Sequence, residues 1–188
     1  MAFRAQILDL SLALLLGLGL ILGAQIPGRD PLTPQEADQI RNTAGQLNKR
    51  IPLLLQFAQE RIVRFEKVRA SPRATPGRSA RLYALLRQYH EILPELDDAA
   101  DDLAIPPEPG EPKYNVGKVL GKAMQTEQAM FTELQQIQTS SSAADLAAYH
   151  FELQNCLDRT RDSLQNAEQD RAGAGQPPLA FAGKKAAA

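Results

Sequence analysis

The sequence predicts an all-α protein: an antiparallel bundle of about four long helices preceded by a short, broken first helix. Three observations carry this expectation. Apolar residues recur at spacings of three and four through four long segments. Ala, Leu, Gln, Arg and Glu dominate, while Val, Ile and aromatic residues are sparse, with six Phe, four Tyr and no Trp, a bias toward helix over strand. Pro and Gly cluster between the periodic segments rather than within them.

The chain opens with MAFRAQILDLSLALLLGLGLILGA. Arg4 supplies a positive n-region, Leu10 to Ala24 is an apolar run, and small Ala24 closes it, so residues 1–24 read as a secretory signal peptide. The run is shorter than the ~20 residues that span a bilayer. Leu22 stands where a small residue is preferred before the cut, so an uncleaved inner-membrane anchor over residues 7–24 is the alternative. The expected location is periplasmic or secreted. Removing 24 of 188 residues leaves 164, one domain's worth of chain. Cys156 is the sole cysteine, which forbids an internal disulfide, so packing must hold the domain.

Residues 25–32, with Pro27, Gly28 and Pro31, read as a linker before a bundle domain over 33–171. Thr33-Pro34-Gln35-Glu36 combines an N-cap Thr, a Pro at the first helical position and a Glu three residues after the cap. Ala37, Ile40, Ala44 and Leu47 then share a face. Pro52 disfavours helix at Ile51, which predicts a break between Asn48 and Ile51. The second helix runs from Pro52 to Arg69 with Leu54, Leu55, Ala58, Ile62 and Phe65 inward, and Pro72, Pro76 and Gly77 mark a loop. Ser79 to Leu103 is the next helix, with Leu82, Leu86, Tyr89, Leu93 and Leu96 inward and Pro94 as a kink. Ile105 to Lys113 holds four prolines and reads as a stiff, extended connection. Asn115 to Gln138 is helical with Leu120, Ala123, Met130, Leu134 and Ile137 inward. Ser142-Ala-Ala-Asp145 caps a last helix to Arg171, with Tyr149, Leu153, Cys156, Thr160 and Leu164 inward. Residues 172–188 are Gly, Pro and Ala with two lysines and read as a disordered tail.

Leu32-Thr33-Pro34-Gln35-Glu36, followed by Ile40-Arg41, resembles the opening of the periplasmic LTXXQ-motif stress chaperones, with Glu36 standing where that motif carries Gln. Leu32 to Arg69 also resembles small uncharacterised exported helical proteins of environmental bacteria. The first resemblance implies an exported all-helical chaperone; the second brings no function.

Enzyme chemistry finds little to stand on. Neither His90 nor His150 has a Glu three residues before it, the spacing a di-iron bundle needs. No Gly-rich phosphate loop or Gly-x-Ser-x-Gly elbow is present. Cys156 and His150 lie on different faces of one helix, and Cys156 falls among core leucines, which predicts a packed thiol rather than a nucleophile. Asp97, Asp98, Asp101 and Asp102 lack the interleaved Asn and Gly of a calcium loop. No catalytic residue, cofactor or metal is implied, although a metal- or small-ligand-binding bundle core is the rival class.

The remaining signal is charge. The net charge is −1, which argues against nucleic acid as a partner. Residues 49–87 nevertheless carry ten Lys and Arg against Glu60 and Glu66, a net +8, while residues 91–111 carry eight acids and no Lys or Arg, a net −8. Folding the second helix back on the third gathers Arg61, Arg64, Arg69, Arg73, Arg78 and Arg81 at one tip. That patch is the candidate surface for an anionic envelope component or an acidic protein. The competing expectation is mutual neutralisation by acids on the other helices.

Overall fold

The computed structural model describes residues 30–107, 109 and 113–177. The signal-peptide reading, most of the linker and residues 178–188 of the expected tail lie outside the described residues. Those described form helices and no strand: α1 (Pro34–Arg41), α2 (Leu47–Arg69), α3 (Arg78–Ala104), α4 (Val116–Ser140) and α5 (Ala143–Gly173). No helix among them is long and apolar enough to cross a membrane.

The helix starts follow the capping chemistry. Glu36 N–H donates to Thr33 Oγ1 at 3.2 Å and Thr33 N–H to Glu36 Oε2 at 2.7 Å, a complete capping box. Asn115 Oδ1 accepts from Lys118 N–H and Ser142 Oγ from Asp145 N–H at the starts of α4 and α5. The break after α1 falls earlier than the proline predicts. It occupies Asn42 to Gln46 and turns at Gly45, whose φ of 70° is a left-handed conformation that glycine adopts without strain. Helix α2 then runs through Pro52, whose ring faces solvent on its second turn, so water can take the carbonyl that the missing N–H leaves free. Pro94 likewise sits at an exposed position inside an unbroken α3.

Four helices pack around one core, with α1 laid against α2. Tyr114 Oη donates to Gly45 O near the starts of α4 and α2, and Arg69 Nη1 donates to Ser140 Oγ at their ends, so these neighbours run parallel. Arg78–Asp145, Leu86–Cys156 and Tyr89–Thr160 contacts make α3 and α5 a second parallel pair. Antiparallel packing holds within α2/α3 and α4/α5, the pairs joined by short loops. The connection between Ala104 and Val116 therefore joins diagonal helices.

Leu54, Ala58, Phe65, Leu82, Leu93, Leu120, Leu134 and Leu153 are fully buried. Phe65 meets Tyr149 edge-on at 5.1 Å. Buried hydroxyls between α3 and α5 are satisfied in a chain. Thr160 Oγ1 donates to Cys156 O, which leaves Tyr89 Oη to donate to Thr160 Oγ1 at 2.7 Å. At the far end Arg171 Nη1 donates to Gly117 O on α4 and Nη2 to Pro177 O. A Cβ at Gly121 would stand 2.6 Å from Arg171 Nη1, so the bare backbone there admits the guanidinium. This anchor holds residues 172–177 against α4, in place of the disorder expected from 172 onward.

Candidate functional site

The α2–α3 tip is built by Arg69, a turn over residues 70–77 and Gly77, which at φ 69° starts α3. The six arginines divide sharply. Arg61 does not reach the tip. It lies two turns below, 1% exposed, with Nη1 and Nη2 on the two carboxylate oxygens of Glu36 at 2.8 and 2.6 Å and Nη2 also on Pro31 O. The placement follows from α1, whose capping-box glutamate turns inward and brings a buried negative charge to that level of α2. Although burial alone would raise it, Arg61 and the Thr33 amide hold the Glu36 carboxyl down at about 2.

Arg78 is also buried. Its Nη1 donates to Asp145 Oδ1 at 2.8 Å and its Nη2 to Arg69 O, which ties the tip to the first turn of α5. The Arg78 hydrogen bond holds Asp145 below the usual carboxylate range, against the opposing effect of burial. Arg69 forks onto Glu66 and Arg64 pairs with Glu60. Arg73 reaches Ser142 Oγ at 2.7 Å and the edge of Asp145 at 3.4 Å, yet its side chain is 63% exposed. Arg81 is exposed and touches only the Pro76 carbonyl. The expected convergence is thus met by Arg69, Arg73, Arg78 and Arg81, and part of their charge is neutralised from α5.

At the opposite end Glu95 pairs with Arg50 of α2 and Asp97 with Arg159 of α5. Between α3, α4 and α5 lies a constellation that sequence reasoning missed. Ser163 Oγ is 2.5 Å from Asp97 Oδ1 and 2.8 Å from Glu127 Oε1. Arg159 Nη2 lies 2.7 Å from Asp97 Oδ2, in ion-pair range but outside hydrogen-bond geometry. Glu127 is 1% exposed. Burial pushes its carboxyl up to about 7, partly offset by the Ser163 hydrogen bond and reinforced by Asp97. A cavity of about 10 Å³ beside it, at the size limit for one water, is lined by Asp97, Asp101, Glu127, Ser163, Asn166 and Asp170 among apolar neighbours. The signal was present: Glu127 falls at the core spacing of Leu120, Ala123, Met130 and Leu134, and Ser163 at that of Cys156 and Thr160.

Cys156 is buried and donates to Leu86 O at 3.2 Å; burial pushes its thiol up, as an inert core thiol requires. His150 is exposed and stacks edge-on with Phe151. No family model, curated protein or solved structure matches the chain.

Proposed function

We propose that this chain is an exported, non-catalytic docking module whose α2–α3 tip binds an anionic component of the cell envelope. The observation that carries the reading is the charge that survives internal pairing. Arg64, Lys67, Arg69, Arg73, Arg78 and Arg81 face only Glu60, Glu66 and Asp145 along this tip, and the turn over residues 70–77 contains no acid. Arg73 and Arg81 are exposed: Arg73 shares Asp145 with Arg78 at 3.4 Å, and Arg81 makes its side-chain hydrogen bond to the Pro76 carbonyl. A loop fixed at its base by Arg78 and free at its rim can meet a negatively charged surface without giving up its fold.

Vesicles containing anionic phospholipid test the reading. Wild-type protein should bind them at low salt and release them as ionic strength passes ~0.15 M, where the Debye length is ~8 Å. The Arg73→Glu, Arg81→Glu double variant should bind at least tenfold more weakly. Equal binding by both proteins, or none by wild type at low salt, defeats the docking role. Export is tested separately by the intact mass of protein recovered from its natural host, which should correspond to a start at Gln25.

A further inference from the structure

Ser163 poses a problem of proton counting. Its hydroxyl carries one hydrogen, yet two carboxyl oxygens lie within hydrogen-bond reach, Asp97 Oδ1 at 2.5 Å and Glu127 Oε1 at 2.8 Å. Both contacts are hydrogen bonds only if one carboxyl is itself protonated and donates to Ser163 Oγ. Asp97 has the Arg159 guanidinium beside its second oxygen, so its negative charge is compensated. Glu127 is the more deeply buried, and the acidic proton belongs there.

We propose that this proton acts as a clasp: Glu127 on α4 donates to Ser163 on α5, Ser163 donates to Asp97 on α3, and loss of the proton loosens the three helices at this level. The charges facing the clasp favour that outcome. Helix α3 contributes Asp97 and the buried phenol of Tyr89, with Asp98 and Asp101 beyond; α5 contributes Asp170, with Arg171 beside it, and the cation Arg159 paired to Asp97; α2 offers only apolar Ile51 at the cavity wall. Ionised Glu127 would place a second negative charge beside Asp97 in a space that already borders Asp101 and Asp170. Burial also raises Asp97 and Asp170, so the pocket disfavours each further negative charge.

The direction follows from linkage. Glu127 binds its proton more tightly in the folded chain, so its contribution is complete below the ordinary glutamate value, fades as pH rises toward 7 and is gone above it. The bundle is therefore firmest in mild acid and looser at neutral and alkaline pH.

Side-chain carboxyl carbon NMR of the full chain tests this directly. One glutamate resonance should titrate near pH 7 and vanish in Glu127→Gln, whose amide can still donate to Ser163. Amide-exchange protection around Glu127 and Ser163, corrected for intrinsic rates, should fall about tenfold per pH unit between pH 5 and 7 and then level. In Glu127→Gln it should stay flat. Ordinary titration of every glutamate overturns the proposal even if the variant does not fold. So does an unchanged pH dependence in the folded variant, or recovery of protection at pH 8 on adding calcium, which would make the group a cation site.

Discussion

Glu36, Glu127 and Glu152 are the buried glutamates among the described residues, and the surroundings of the first two drive them in opposite directions. Glu36 meets Arg61, a fork of donors that matches both carboxylate oxygens, and its carboxyl is held at about 2. Glu127 meets a serine and another carboxyl, and is pushed up to about 7. Solvent exposure alone does not separate them, since both are at least nine-tenths covered. The partner decides whether the buried group is kept as a charge or neutralised by a proton. The two sites consequently place opposite demands on pH. Glu36 stabilises the fold above the ordinary glutamate value and loses that contribution as pH falls toward 2. Glu127 stabilises it below the ordinary value and loses that contribution as pH rises toward 7.

Removing one partner from each site gives the largest contrast. Arg61→Met leaves Glu36 buried without its cation and should cost about 3–5 kcal/mol in urea unfolding, with the double change Arg61→Met, Glu36→Leu recovering much of it. A single-variant loss below ~1 kcal/mol would mean that α1 swings away and hydrates Glu36. Glu127→Gln keeps shape and hydrogen bonding at its site, so at pH 8 it should be as stable as wild type or more so.

Two core leucines calibrate them. Leu86 and Leu153 face each other's helices with 1% and 0% exposure, and either Leu→Ala change should cost about 2–5 kcal/mol through lost contacts and cavity formation. These losses should be the same at pH 5 and pH 8. A pH-dependent loss at Leu153 would show that the loosening proposed at Ser163 spreads up α5 to this level.

The pH profile of wild-type stability then separates the two glutamates. Between pH 5 and 8 the Glu127 site should cost on the order of 3 kcal/mol, from a shift of its carboxyl from the ordinary value to about 7. Glu127→Gln should remove this decline and leave the acid limb intact. Arg61→Met should do the reverse, flattening the acid limb. A profile that both variants alter identically would mean that the sites unfold as one unit and cannot be assigned separately.

The helices were legible because their signals are local. Thr33 and Glu36 are three residues apart, and the stripes of α2 to α5 repeat within one turn. Chain-distant choices were not legible. The capping-box chemistry of Glu36 was visible, but not its second role 25 residues away on Arg61, because an N3 glutamate ordinarily faces water. Arg61 therefore read as a surface cation. Arg78 stays at the tip but is withdrawn from its surface, because Asp145 in the first turn of α5 takes it, and the diagonal crossing that makes α5 the neighbour of α3 has no local signal. The position of the α1–α2 break was misjudged because Pro52 is conspicuous. A proline early in a helix with its ring toward solvent is tolerated, and Gly45 makes the turn. At Glu127 and Ser163 the apolar stripe continues across two polar residues, and only their meeting with Asp97 explains why.

The smallest stability effect belongs to the tip, and there it separates a residue that builds the surface from those that form it. Arg78→Glu would set an acid against Asp145 and strand the Arg69 carbonyl, a loss of about 1–3 kcal/mol from unmet buried groups. Arg73→Glu and Arg81→Glu act where side chains are exposed, so each should change stability by no more than ~0.5 kcal/mol. Ser142 continues to cap α5 in their absence, because its bond to the Asp145 amide does not depend on Arg73. Thermal unfolding checks the three variants side by side, and vesicle binding at low salt checks the same samples. Arg73→Glu and Arg81→Glu should unfold with wild type and bind weakly. If Arg73→Glu is as destabilising as Arg78→Glu, its contact with Ser142 is part of the fold, and the surface free to dock shrinks to Arg81 and Lys67.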